Sequence, residues 1–171
     1  MERLVSAQAA GPLLSGSTSA TSILPTSAVY TLPGNFFNYI GQTLHVKAQG
    51  KLTTAASTPG NLTLSCYLAG ASWCATQAMA LGTSLTNSTW ELELDMTILT
   101  LGNSTVATAM FVGKALGITG ATSFVMVPAT SPVASSGFNS VQANTLDLFA
   151  TFTSSATNTL TLNQYFVDSP N

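Results

Sequence analysis

Charge is what this sequence has least of. Asp, Glu, Lys and Arg make up 6% of its 171 residues, where a soluble domain ordinarily carries about 25%. Only four residues are basic, and they are scattered. That excludes the electrostatic footprint that binding to phosphate backbones requires. There is one histidine, His45, and it falls on the polar phase of its segment. General acid–base or nucleophilic catalysis needs a proton acceptor oriented beside a nucleophile. A lone surface histidine among many serines does not supply one, and no nucleophile-elbow pattern is present. The chain therefore reads as non-enzymatic, with no cofactor.

Cysteine is nearly absent too. Cys66 and Cys74 are the only two, too few for a disulfide framework. Cys66 lies on the apolar phase of its segment, so a buried free thiol is the leading reading. A Cys66–Cys74 hairpin bridge is the alternative. A zinc site wants about four ligands, and only His45 could assist the two thiols. No metal is expected. No apolar run approaches the ~18–20 residues of a membrane-crossing helix. The N-terminus, with Glu2 beside Arg3 and Gly11-Pro12 close behind, does not read as a signal peptide. Synthesis in a host cytoplasm is the expectation.

What is present is strand signal. Sustained helical periodicity is missing, and period-two alternation recurs. Leu44, Val46 and Ala48 alternate with His45, Lys47 and Gln49. Leu62, Leu64, Cys66 and Leu68 alternate with Thr63, Ser65 and Tyr67. The clearest run sets Trp90, Leu92, Leu94, Met96 and Ile98 against Glu91, Glu93, Asp95 and Thr97. Leu146, Leu148, Ala150 and Phe152 alternate with Asp147, Phe149 and Thr151. Weaker strand segments are Ser27–Leu32, Trp73–Leu81, Val106–Lys114, Ser123–Val127 and Leu160–Val167. Between them lie turn formers such as Pro33-Gly34-Asn35 and Gly102-Asn103-Ser104. This predicts an all-β fold: one antiparallel β-sandwich over residues 25–171, jelly-roll-like by strand count. Residues 1–24 are Ser/Thr/Gly-rich and weakly patterned, and predict an extended N-terminal arm. One helical turn is expected over Asn35–Ile40, with Phe36, Phe37, Tyr39 and Ile40 plugging one end of the sandwich.

The surface implied is mostly hydroxyl and amide, since Ser and Thr supply 46 residues. Net charge normally keeps proteins apart. At a formal net charge of −2, this surface is suited to being covered by copies of itself or by a partner. Tyr67 and Phe149 sit on the outward phase of their strands and are interface candidates. So are Glu91, Glu93 and Asp95, the densest charge in the chain. On a strand they share a face at roughly 6.8 Å spacing, which suits a charge-paired face with Lys47 or Lys51 better than a cleft. Trp73, with Gln77 or Asn87, is a candidate sugar contact, while Trp90 reads as core.

Several segments together carry a resemblance. They include Leu32-Pro33-Gly34-Asn35-Phe36-Phe37, Gly41-Gln42-Thr43-Leu44-His45-Val46, Thr58-Pro59-Gly60-Asn61-Leu62-Thr63-Leu64, Trp90-Glu91-Leu92-Glu93-Leu94 and Asn158-Thr159-Leu160-Thr161-Leu162-Asn163-Gln164-Tyr165. From about residue 20 onward, the chain resembles small structural proteins of tailed bacteriophages and prophages. The resemblance implies a virion component and carries over no functional residues. Two placements follow as expectations. One is a capsid decoration (cement) protein on the capsid surface, a homotrimer bound to the phage major capsid protein, with residues 1–24 as its clamp. The other is a tail-fibre or baseplate module that binds a host receptor or glycan.

Overall fold

The computed structural model describes residues 2–117, 124–128, 134, 137–154 and 157–170. Residues 1, 118–123, 129–133, 135–136, 155–156 and 171, which the expected arm and sandwich include, lie outside the described residues. In chain order the strands are β1 (Glu2–Ser6), β2 (Leu14–Ser15), β3 (Thr21–Ser22), β4 (Tyr30–Leu32), β5 (Thr43–Thr53), β6 (Asn61–Leu68), β7 (Ala71–Ala75), β8 (Met79–Ala80), β9 (Ser88–Thr100), β10 (Thr108–Leu116), β11 (Phe124–Val127), β12 (Asn144–Phe152) and β13 (Thr159–Ser169).

These strands form two antiparallel sheets packed as a β-sandwich. The seven-stranded sheet runs β1-β13-β5-β9-β10-β11, with β2 also on β13. The six-stranded sheet runs β3-β12-β6-β7, with β4 also on β12 and β8 on β6. The alternation read from the sequence is the reason. β5, β6, β9 and β12 each bury every second residue, as one wet face and one core face require. Trp90, Tyr165, Phe152, Leu44, Leu62 and Leu92 are fully buried between the sheets.

Residues 2–24 are extended and lie along their own sandwich. β1 and β2 pair with β13, and β3 pairs with β12. Leu14, Ile23 and Leu24 from this segment are buried in the core. Ile23 is 0% exposed. The segment thus closes one side of both sheets.

Two local expectations need correction. Asn35–Ile40 forms turns, not a helical turn. Pro33-Gly34 precedes it and Asn35 adopts φ 60°, which a right-handed turn cannot continue. The buried Gln42 side chain organises the loop instead. It accepts from Asn38 N at 3.1 Å and donates to Phe36 O at 3.2 Å. Phe37 enters the core against Phe138, but Tyr39 and Ile40 remain exposed. The short helix among the described residues is a 3-10 turn at Thr26–Ala28, which overlaps the start of the segment expected as a strand, Ser27–Leu32.

Candidate interface surfaces

The two outer faces of the sandwich differ sharply in charge. β5, β9, β10 and β13 are paired so that their outward residues form rows across the seven-stranded sheet. One row runs Arg3, Asp168, His45, Asp95. The next runs Phe166, Lys47, Glu93, Lys114. A third runs Gln164, Gln49, Glu91. Glu91, Glu93 and Asp95 do share this face, and cations of the same chain meet them. Lys47 Nζ lies 2.8 Å from Glu93 and 3.3 Å from Glu91. Lys114 Nζ lies 3.0 Å from the other Glu93 oxygen. His45 Nδ1 is 2.9 Å from Asp95, and Gln49 donates to Glu91. Lys51 instead faces Thr89 and Thr161.

Electrostatics follow from this geometry. The Lys47 and Lys114 ammonium groups hold the Glu93 carboxyl down at about 2. The hydrogen bond to Glu93 raises Lys47 above its ordinary value against the opposing effect of burial, and Glu91 adds to the rise. Carboxylates neutralised in this way make a poor acid–base pair. Among the described residues, no group of three or more His, Cys, Asp or Glu is placed to hold a metal ion. Arg3, Lys47, Lys51 and Lys114 share the face with Glu91, Glu93, Asp95 and Asp168, four charges against four. Glu2 and Asp147 are left to make the formal net charge of −2.

The six-stranded sheet presents the opposite kind of surface. Tyr67 on β6 and Phe149 on β12 are diagonal neighbours, because Tyr67 pairs with Asp147 and Phe149 with Ser65. Their rings lie 4.1 Å apart at the centroids, tilted by 31°. A groove of about 500 Å³ runs beside them, with Tyr67, Gly70, Thr145, Asp147 and Phe149 in its lining. Asp147 is the one charge here, and it is turned to local use. It accepts from Ser22 Oγ at 2.8 Å and from Leu148 N at 2.7 Å. Burial pushes its pKa up despite both bonds. Nearby, Thr31 and Thr145 bond through their hydroxyls at 3.0 Å.

Trp73 does not serve as a surface aromatic. It is the extra residue of a β-bulge between Ser72 and Cys74, and it is buried on the core side beside Cys66. It packs on Phe138 at 4.6 Å and on Phe111 at 5.6 Å. Trp90 is buried as expected. Cys66 and Cys74 are free, buried and opposite each other.

Sequence reading missed two features. Arg3 pairs with Asp168, whose side chain is only 2% exposed, and lies 4.3 Å over the Phe166 ring. The partners are 165 residues apart, and no local pattern links them. The second is an apolar end of the sandwich. Exposed Tyr39, Ile40, Val106 and Val141 project from three loops that tie together at Ser140. Residues 33–42, 101–107 and 137–143 contain no Asp, Glu, Lys or Arg, which was the available signal.

Comparison with known proteins gives the chain no family. No protein-family model matches it, and no curated protein matches it either.

Proposed function

We propose that this chain is a non-catalytic structural subunit of a tailed-phage virion, a decoration protein that binds the outside of the assembled shell and stabilises it. The observation that carries the reading is the charge asymmetry of the two faces. The seven-stranded sheet keeps a self-neutralised charged face suited to water. The six-stranded sheet offers Tyr67, Phe149 and hydroxyls with a single, half-buried carboxylate. A surface that carries aromatic rings and is depleted in charge has the composition of an interface centre. Its partner in this reading is the major capsid protein, with further copies of the chain completing a trimer through the apolar loop end.

The strand order supports a jelly-roll-like arrangement. The last strand, β13, lies between β1 and β5, and the next to last, β12, lies between β4 and β6. This interleaving of first, last and middle strands is what two Greek keys produce. In such an arrangement β1 is an edge strand of the sandwich, and the N-terminal segment acts first on the fold.

A second reading has one observation in its favour. The groove beside Tyr67 and Phe149 places a carboxylate and a threonine next to aromatic rings, which suits a sugar. A tail-fibre or baseplate module binding a glycan would use that same groove.

The test is reconstitution. Particles lacking the chain are incubated with the purified protein, sedimented and imaged by cryo-electron microscopy. The expected result is density on the shell. A Tyr67→Ser/Phe149→Ser double variant that keeps its β circular dichroism should bind at least about tenfold more weakly, as for paired aromatic anchors. Density only at the tail tip would reject decoration and favour the glycan reading.

A further inference from the structure

The β6–β7 hairpin has a two-residue turn. Ala69 and Gly70 both take positive φ, 53° and 80°, as a type I′ turn requires. Leu68 then pairs with Ala71, and Tyr67 with Ser72. An unbroken ladder would next set Cys66 against Trp73. The bulge inserts Trp73 as an extra residue, so Cys66 pairs with Cys74 instead. The one irregularity of this hairpin thus brings the chain's two thiols opposite each other. Both are buried, at 2% and 4% exposure, and so both point to the core side. Directly opposed residues in an antiparallel pair lie ~4.5 or ~5.5 Å apart at Cα. A disulfide spans ~4.4–6.8 Å.

We infer that Cys66 and Cys74 form an oxidisable cross-strand pair that closes into an intramolecular disulfide when a small disulfide such as oxidised glutathione reaches it. β7 lies at the end of its sheet path, with β6 as its neighbour, so Cys74 is the thiol uncovered when that edge opens. The Cys74 thiolate attacks one sulfur of the small disulfide, expels one small thiolate and forms a mixed disulfide. Cys66 then attacks the Cys74 sulfur, expels the second small thiolate and leaves the Cys66–Cys74 bond. Two protein thiols are oxidised, one small disulfide is reduced to two thiols, and the two protons pass to the expelled thiolates. Burial holds Cys74 up at about 12 and Cys66 higher still. Closure is therefore slow in the intact fold and accelerates as pH rises. The inference does not depend on what the chain binds.

The experiment uses the full chain. Folded, reduced protein is incubated with excess oxidised glutathione, quenched, denatured and alkylated, and its intact mass is read. The expected product is a monomer lighter by two hydrogens that takes up no alkyl group, with a higher melting temperature than the reduced form. Cys66→Ser should stop at one glutathione on Cys74. Two alkylated thiols after exhaustive oxidation, or bridges only between chains, would overturn the inference. So would a Cys66→Ser protein that takes up no glutathione while Cys74→Ser does.

Discussion

Lys47 and Glu93 face each other across β5 and β9, with Nζ 2.8 Å from Oε1. Lys114 reaches the other carboxylate oxygen from β10, so Glu93 is held from both sides. Its folded pKa of about 2 lies below the ordinary 4.5. A depressed carboxyl stabilises the fold fully above the unfolded value and loses that contribution as pH falls through the folded one. Glu93→Gln should therefore lower stability by about 1 kcal/mol at neutral pH, the scale of partly exposed ion pairs. Urea denaturation of both proteins between pH 7 and pH 2 is the check. The difference should shrink below about 4.5 and be gone near 2. A pH-independent difference would mean that the glutamate acts by packing and not by charge.

Asp147 has the opposite sign. Burial raises its pKa above the ordinary 3.8, so ionising it works against the fold. Asn at this position keeps an oxygen to accept from Ser22 and Leu148 N. Asp147→Asn should thus be neutral or stabilising at pH 7. The advantage should disappear in acid, once the native carboxyl is protonated. Parallel thermal melts of the two proteins at pH 7 and pH 3 measure it. A variant less stable at pH 7 than at pH 3, relative to the native chain, would contradict this sign.

Much of this fold was legible in the sequence because its strands have one wet face. Trp90 to Ile98 declares its inward set by alternation alone, and register then follows from burial. The carboxylates of β9 were placed on one face by the same rule. Three things escaped. The turn at 35–42 depends on the buried Gln42 side chain, whose backbone partners are set by the tertiary fold. Trp73 reads as surface because β7 begins without clean alternation, and only its place beside core-facing Cys66 of β6 sets it inside; the bulge brings Cys74 to that side as well. Residues 2–24 have weak patterning because β1 to β3 are short and sit at edges, yet Ile23 is fully buried by β12. The Tyr67–Phe149 stack was half legible: alternation pointed both rings outward, but only the pairing of β6 with β12 joins them.

Gly50 sits opposite Trp90 across β5 and β9, and nothing larger fits there. A Cβ at this position would lie 2.0 Å from Thr161 O and 2.9 Å from the indole Nε1. The close approach comes from the bulge in β13, where Asn163 is the unpaired residue between Leu162 and Gln164. Gly50→Ala should cost about 3 kcal/mol, since the clash is with backbone and overpacking of this kind cannot relax by a rotamer change. Urea midpoints read the loss. A shift in tryptophan emission would accompany it, because Trp90 is fully buried at the same spot. An unchanged midpoint would show that β13 can move aside.

The N-terminal segment separates two pictures of how this protein works. An arm serving only as a clamp could be removed without harm to the sandwich. The pairing says otherwise: β1 and β2 cover one edge of β13, β3 covers β12, and Leu14, Ile23 and Leu24 fill the core beneath. Deleting residues 2–24 would uncover backbone along both sheets and open the core, and exposed strand edges recruit other chains. The truncated protein should therefore aggregate or unfold before any partner is offered. Ile23→Ala is the milder probe, because it removes buried methyl groups while leaving the strand in place. It should cost about 3 kcal/mol, within the range for truncating a buried isoleucine. Sedimentation velocity on the deletion and urea denaturation on Ile23→Ala give the two readouts. A soluble truncated chain that unfolds cooperatively near the native midpoint would return the segment to the role of a detachable arm.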